Sequence, residues 1–101
     1  MPVSLARWRG QIDAIDRKLL QLLNQRVQLA LELGRRKRAA GIALRDPRRE
    51  AAILARMRDR NPGPLPAAAV QRLFRAILAE SRRVAARAFA RPRAAGKRAR
   101  A

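Results

Sequence analysis

Arg26, Lys37, Arg49 and Glu50 are the residues whose types and spacing suit chemistry. Each falls where a helical pattern turns it, or allows it to turn, toward a core, and Arg9 joins them if a second chain lies alongside. Cations gathered around one carboxylate suit a small, doubly anionic ligand, because guanidinium forks grip carboxylates with two parallel bonds. The set is rich in donors and has almost no nucleophile, so it fits a reaction that needs only shape and electrostatic stabilisation. The sequence has no Cys, His, Tyr or Thr, and its only serines are Ser4 and Ser81. Disulfides, thiol chemistry, the usual zinc sites, imidazole acid–base catalysis and Ser-His-Asp triads are thereby excluded.

Helices must position these groups. The composition is rich in Ala, Leu and Arg, poor in Val and Ile, and no stretch alternates long enough for a strand. The first helix is expected from about Leu5 to Ala40. Its apolar residues Leu5, Trp8, Ile12, Ile15, Leu19, Leu22, Leu29 and Leu33 step by three and four, and Arg26 takes the seam position missing from that series. A guanidinium keeps its proton, so on a packed seam Arg26 needs an anionic partner. Leu20, Leu23, Val27 and Ala30 form a second stripe, so the helix is expected to be buried over much of its girth. About 35 residues at about 1.5 Å each reach about 52 Å, whereas a compact chain of this length has a diameter of roughly 34 Å. The helix overshoots its own globule, and an interlocked dimer follows. Arg26 and Lys37 share a face, about 16 Å apart along the axis. Arg9 lies roughly 25 Å before Arg26, so it shares a small-molecule site only with Lys37 of another chain. Lys37 also has a simpler reading, as a cation suited to the negative end of the helix dipole.

Asp46-Pro47 reads as an N-cap and first helical residue, opening a second helix to about Arg60 with Ile53, Leu54 and Met57 inward. Asn61-Pro-Gly-Pro-Leu-Pro66 is a rigid turn. A third helix is expected from about Pro66 to Ala90, with Val70, Leu73, Phe74, Ile77, Leu78, Ser81, Val84, Ala85 and Ala88 facing inward. On that stripe the Ser81 hydroxyl alone reads as bonding back to a carbonyl one turn earlier. The division is a helical domain over 1–90 and a basic tail over 91–101 expected to be disordered. The net charge is +18, and no acid follows Glu80. Such a tail either grips nucleic-acid phosphates or is a solvated end, and the absence of interleaved aromatics favours the second. No membrane-spanning run or signal-peptide core is present, which gives a cytoplasmic expectation.

The segments Arg9-Gly-Gln-Ile-Asp-Ala-Ile-Asp16, Leu19-Leu-Gln-Leu-Leu-Asn-Gln-Arg26, Leu33-Gly-Arg-Arg-Lys37, Asp46-Pro-Arg-Arg-Glu50, Asn61-Pro-Gly-Pro-Leu65 and Phe74 through Glu80-Ser81 resemble, in order and gaps, the all-helical class of chorismate mutases. The resemblance covers about four-fifths of the chain. It implies an all-α fold, one long N-terminal helix and two shorter ones in an intertwined homodimer. The implied reaction is the Claisen rearrangement of chorismate to prephenate in Phe and Tyr biosynthesis, without cofactor, metal or covalent intermediate. By resemblance Arg26, with Arg9 from the partner chain, holds the substrate carboxylates. Lys37 hydrogen-bonds the ether oxygen, and Glu50 takes the ring hydroxyl with help from the backbone at Asp46. Arg49 and Ser81 resemble further substrate contacts. Ala85 departs from the pattern, which usually has Gln or Glu there as a second donor to the ether oxygen. That leaves open a slower mutase, a relative acting on isochorismate or an amino analogue, or a site completed by water or an arginine, with Arg82 and Arg83 nearby. A basic helical nucleic-acid-binding protein is the alternative from another class. It explains neither Arg26 on a packing seam nor the placing of Asp46-Pro47 and Glu50.

Overall fold

A computed structural model describes residues 4–90 of the chain. The tail over 91–101 and the first three residues lie outside the described residues. Three helices follow in order: α1 over Leu5–Ala39, α2 over Pro47–Arg60 and α3 over Ala67–Ala88, with no strand among the described residues. α1 runs unbroken through Gly10 and Gly34. Ser4 caps it, its side-chain oxygen accepting from the Ala6 N–H at 3.1 Å. Its other end is a Schellman turn. The Ile42 N–H donates to the Lys37 carbonyl at 2.8 Å and the Gly41 N–H to the Arg38 carbonyl at 3.1 Å. Gly41 carries the left-handed φ of 72° that this turn requires. The same turn therefore stops the helix and anchors the backbone beneath Lys37.

α2 starts where Asp46 Oδ1 accepts the Arg49 amide at 3.0 Å, with Pro47 in the first turn. The turn before α3 is built on Asn61. Its Oδ1 accepts from the Gly63 N–H at 3.0 Å and its Nδ2 donates to the Leu65 carbonyl at 2.6 Å. α3 ends at Ala88, two residues earlier than expected. Phe89 leaves the helix as its C-cap, and the ring folds back onto Gly34 of α1.

α3 is the central element. It packs against α2 along one side and against the C-terminal part of α1 on the other. Ile53, Val70 and Leu78 are the buried large side chains. On α1 the covered face comprises Leu23, Val27, Ala30, Leu31 and Gly34, which continues the second stripe. The first stripe is uncovered within one chain, and the expected burial of the helix requires a second chain alongside it. Every residue from Leu5 to Leu22 is exposed, and Leu29 and Leu33 remain 72% and 54% exposed. The reason is length: α2 and α3 are too short to run beside the whole of α1. Leu73, Val84 and Ala88, expected to face inward on α3, are exposed for a related reason, since they lie off the strip that α1 and α2 cover. The radius of gyration is 19.0 Å, against about 13 Å for a compact chain of this length.

Gly34 is the glycine on α1 that the Phe89 ring approaches most closely. A Cβ there would lie 2.7 Å from Cε2 and 3.1 Å from Cζ of Phe89, whose ring also carries the Arg38 guanidinium at 5.2 Å from its centroid. Gly34→Ala removes a helix penalty of about 1 kcal/mol but displaces the ring at a cost of about 1–3 kcal/mol. At Gly10 nothing lies within 4 Å of a Cβ. The two alanine variants are expected to differ in sign. Thermal unfolding should show Gly34→Ala melting a few degrees below the parent and Gly10→Ala a few degrees above it.

Candidate active site

One cavity of about 360 Å³ lies where the end of α1, the start of α2 and the second half of α3 meet. α1 supplies Arg26 and Lys37, with Leu29, Ala30, Leu33 and Gly34 between them. Eleven residues separate the two cations, three turns with little rotation, so both reach the same side. The cap of α2 supplies the next group. Pro47 and the Asp46 side chain fix the first turn, and that turn sets Asp46, Arg49 and Glu50 on the cavity wall. α3 contributes Leu78, Ser81, Arg82 and Ala85, spaced as one helix face. Leu44 from the linker and Phe89 from beyond α3 close the apolar side.

Of the eight residues singled out from the sequence, the cavity gathers seven: Arg26, Lys37, Asp46, Arg49, Glu50, Ser81 and Ala85. Arg9 is elsewhere, exposed near the free end of α1, about 42 Å along the axis from Lys37 of its own chain. Arg82 was named in the sequence only for its closeness to Ala85, and it lines the cavity. Arg83 does not, pairing instead with Glu80 on the outer surface of α3. Leu44 and Phe89 also line the cavity, and neither is marked by the sequence as a site residue or as part of an inward-facing stripe. Leu44 has no sequence signal. Phe89 had one, being one of three aromatic residues, while Gly34, an isolated glycine inside a helical pattern, implies a close neighbour.

The charges in the cavity are not balanced. Arg26, Lys37 and Arg49 form no ion pair with any carboxylate among the described residues. Asp46 is occupied by the Arg49 amide, and Glu50 Oε1 accepts from Arg82 Nη1 at 2.5 Å. Arg26 and Lys37 are half-buried, so part of their hydration is lost. A ligand with two carboxylates restores that loss through charge-assisted hydrogen bonds. The remaining lining is aliphatic and aromatic, which suits an apolar ring or side chain between the charged ends. No cluster of His, Cys, Asp and Glu able to hold a metal ion occurs among the described residues. No described helix is long and apolar enough to cross a membrane.

Comparison with known proteins agrees with this geometry. The family model described as chorismate mutase type II matches residues 8–86. The bifunctional chorismate mutase/prephenate dehydratase of Neisseria gonorrhoeae is 47% identical over 72 residues, which are 71% of this chain and 19% of that protein. The chain thus spans about a fifth of the length of that relative. The chorismate mutase of Methanocaldococcus jannaschii is 43% identical over 54 residues, 54% of each chain. The form II structure of the chorismate mutase from Thermus thermophilus superposes with a TM-score of 0.79 at 34% identity, covering 82% of this chain and 94% of that one. With three helices in the order α1–α2–α3 and a family match across nearly all of them, the chain belongs to the chorismate mutase type II family.

Proposed function

We propose that this chain is a chorismate mutase, an isomerase converting chorismate to prephenate for Phe and Tyr biosynthesis, and that it works as an intertwined homodimer. The observation that carries the reading is the set of three unpaired cations, Arg26, Lys37 and Arg49, around one cavity that also holds Glu50. In the rearrangement the ether C–O bond breaks as a C–C bond forms. Electrons move within one molecule, and no proton leaves or enters. The protein needs only to hold the folded substrate conformer and stabilise the charge that grows on the ether oxygen.

The residues divide that work by position. Arg26 grips one carboxylate with its guanidinium fork, and Arg9 of a second chain reaches the other. The Lys37 ammonium donates to the ether oxygen, where it binds the transition state better than the substrate. Glu50 accepts from the ring hydroxyl, while Arg49 and Ser81 add polar contacts beside it. Leu29, Leu33, Leu78 and Phe89 pack on the ring and exclude water.

The dimer follows from α1. Its first stripe, Leu5, Trp8, Ile12, Ile15, Leu19 and Leu22, is exposed along its whole length, and a matching helix from a second copy covers it. In an antiparallel pairing Arg9 of one chain arrives near Lys37 of the other. Light scattering at micromolar concentration is expected to give twice the chain mass. A monomer mass with helix content intact would remove both the dimer and the shared site.

The activity itself is read directly. Purified protein mixed with chorismate should consume the absorbance of its conjugated ring diene, and Lys37→Ala should lose about 10²–10³ in kcat with its fold preserved. Failure of the folded wild type to consume chorismate would sink the assignment. The shared site has its own test. Arg9→Ala and Lys37→Ala are each expected to be nearly inactive. When the two are unfolded, mixed and refolded, half the dimers are mixed and half of their sites regain both groups. Roughly a quarter of wild-type activity should return if positioned groups act independently at each site. No recovery, with mixed dimers verified by mass, would place Arg9 outside its partner's site.

The tail over 91–101 is proposed to be dispensable for this chemistry. Deleting it should leave kcat/KM within about twofold and reduce the salt slope of any RNA binding by about one unit per lost phosphate contact. A large loss of activity would instead make the tail part of the site.

A further inference from the structure

Five ion pairs join side chains among the described residues, and one of them differs from the rest. Glu32 with Arg35 and Arg36, Arg58 with Asp59, and Glu80 with Arg83 are all neighbours along a single helix, exposed to solvent. The Arg82–Glu50 pair spans thirty-two residues of sequence and ties α3 to α2. It is also the most sheltered, with side chains 38% and 22% exposed. Both partners line the cavity. Surface pairs within a helix contribute little, whereas a sheltered pair between elements fixes geometry.

We propose that Arg82 is a positioning residue for the proposed mutase reaction, acting through Glu50, and that the small side chain of Ala85 makes room for it. The inference rests on the mutase reading and adds a component to it. Arg82 Nη1 engages Oε1 of Glu50, which leaves Oε2 to accept from the ligand hydroxyl. A free glutamate samples several rotamers, and an arginine bond at one oxygen selects the rotamer that presents the other.

The pair has a second consequence for charge. Glu50 stands among Arg26, Lys37 and Arg49, and an unattached carboxylate there would compete with the ligand for those cations. Arg82 keeps it engaged, as the helix cap keeps Asp46 engaged. Each acid of the cavity has one oxygen engaged within the protein, and three cations remain for an anionic ligand. Ala85 stands three residues after Arg82, a neighbour on the same helix face. A long side chain at that position would occupy the space the guanidinium crosses to reach α2.

The test is a cycle of variants on the full chain, with chorismate as the probe and helix content and melting temperature measured for each. Arg82→Gln is expected to lower kcat/KM about tenfold, mainly by raising KM, the loss typical when the group that orients a functional side chain is removed. Arg82→Lys should recover part of that loss. In a Glu50→Gln background, adding Arg82→Gln should change kcat/KM by less than about twofold, because the group it orients is already gone. Ala85→Gln should raise KM in the wild-type background, as loss of Arg82 does, and leave KM unchanged beside Arg82→Gln, whatever its amide adds to kcat as a donor to the ether oxygen. An Arg82→Gln protein as active as wild type would overturn the proposal. So would an equal loss with and without Glu50, because a purely structural tie between helices acts independently of Glu50's bond to the ligand. If the folded wild type does not consume chorismate at all, the mutase reading fails and takes this inference with it. Turnover by the wild type separates that case from failure of the Arg82 role alone.

Discussion

Uncompensated positive charge in a partly dry cavity is the constraint on which this protein is built. The half-buried place of the Arg26 guanidinium on α1 removes part of its water. No carboxylate of the described chain repays that loss. Lys37 is in the same position, and the more exposed Arg49 beside them also lacks a carboxylate partner. The free protein therefore holds three cations without a carboxylate partner among the described residues, and on the proposed function a ligand carrying two carboxylates supplies what the fold withholds. Electrostatic groups set in place before the ligand arrives need not reorganise during the reaction, which is where such a site gains its rate.

Keeping the cations free constrains the acids. Asp46 and Glu50 are the two carboxylates on the cavity wall, and each has a partner that is not one of the three free side chains. Asp46 turns its oxygen to the amide of Arg49 and in doing so starts α2. Capping and site construction are thus one event: the bond that begins the helix also sets Arg49 and Glu50 on the cavity side of its first turn. At the far end of α1 the Schellman turn does the same for Lys37, whose carbonyl accepts the closing Ile42 N–H while its side chain faces the cavity. Two local backbone devices, roughly 50 Å of helix away from the free end of α1, fix most of the polar wall.

These devices explain what was legible in the sequence. Helix limits were readable because they rest on local chemistry, namely Ser4, Gly41, Asp46-Pro47 and the Asn61 turn. Arg26 and Lys37 were readable as a pair because a helical period acts over any distance along one element. Residues brought in by packing between elements were not. Phe89 meets Gly34 only after α3 is laid on α1, and Leu44 reaches the cavity because the linker turns back over it. The Arg82–Glu50 bond depends on the rotation of α3 about its own axis relative to α2. The helical period places Arg82 on a face shared with Leu78, Ala85 and Phe89 but does not say which groups stand opposite. The same limit applies to α1. Its two stripes were correctly apolar, but which of them its own chain covers depends on where α3 lies.

The uncovered stripe of α1 and the free cations are connected. A helix of thirty-five residues is more than a single small globule uses, and its first half contributes nothing to the cavity of its own chain. What that half carries is an apolar seam with Arg9 set beside it. In the proposed dimer, burial of Trp8, Ile12 and Ile15 by a second copy brings Arg9 toward the other chain's cavity. Hydrophobic burial then supplies the energy, and the guanidinium is carried to its place by it. On this reading the length of α1 is set by the distance between two sites of a dimer, and the small core of Ile53, Val70 and Leu78 is small because the larger core lies between chains.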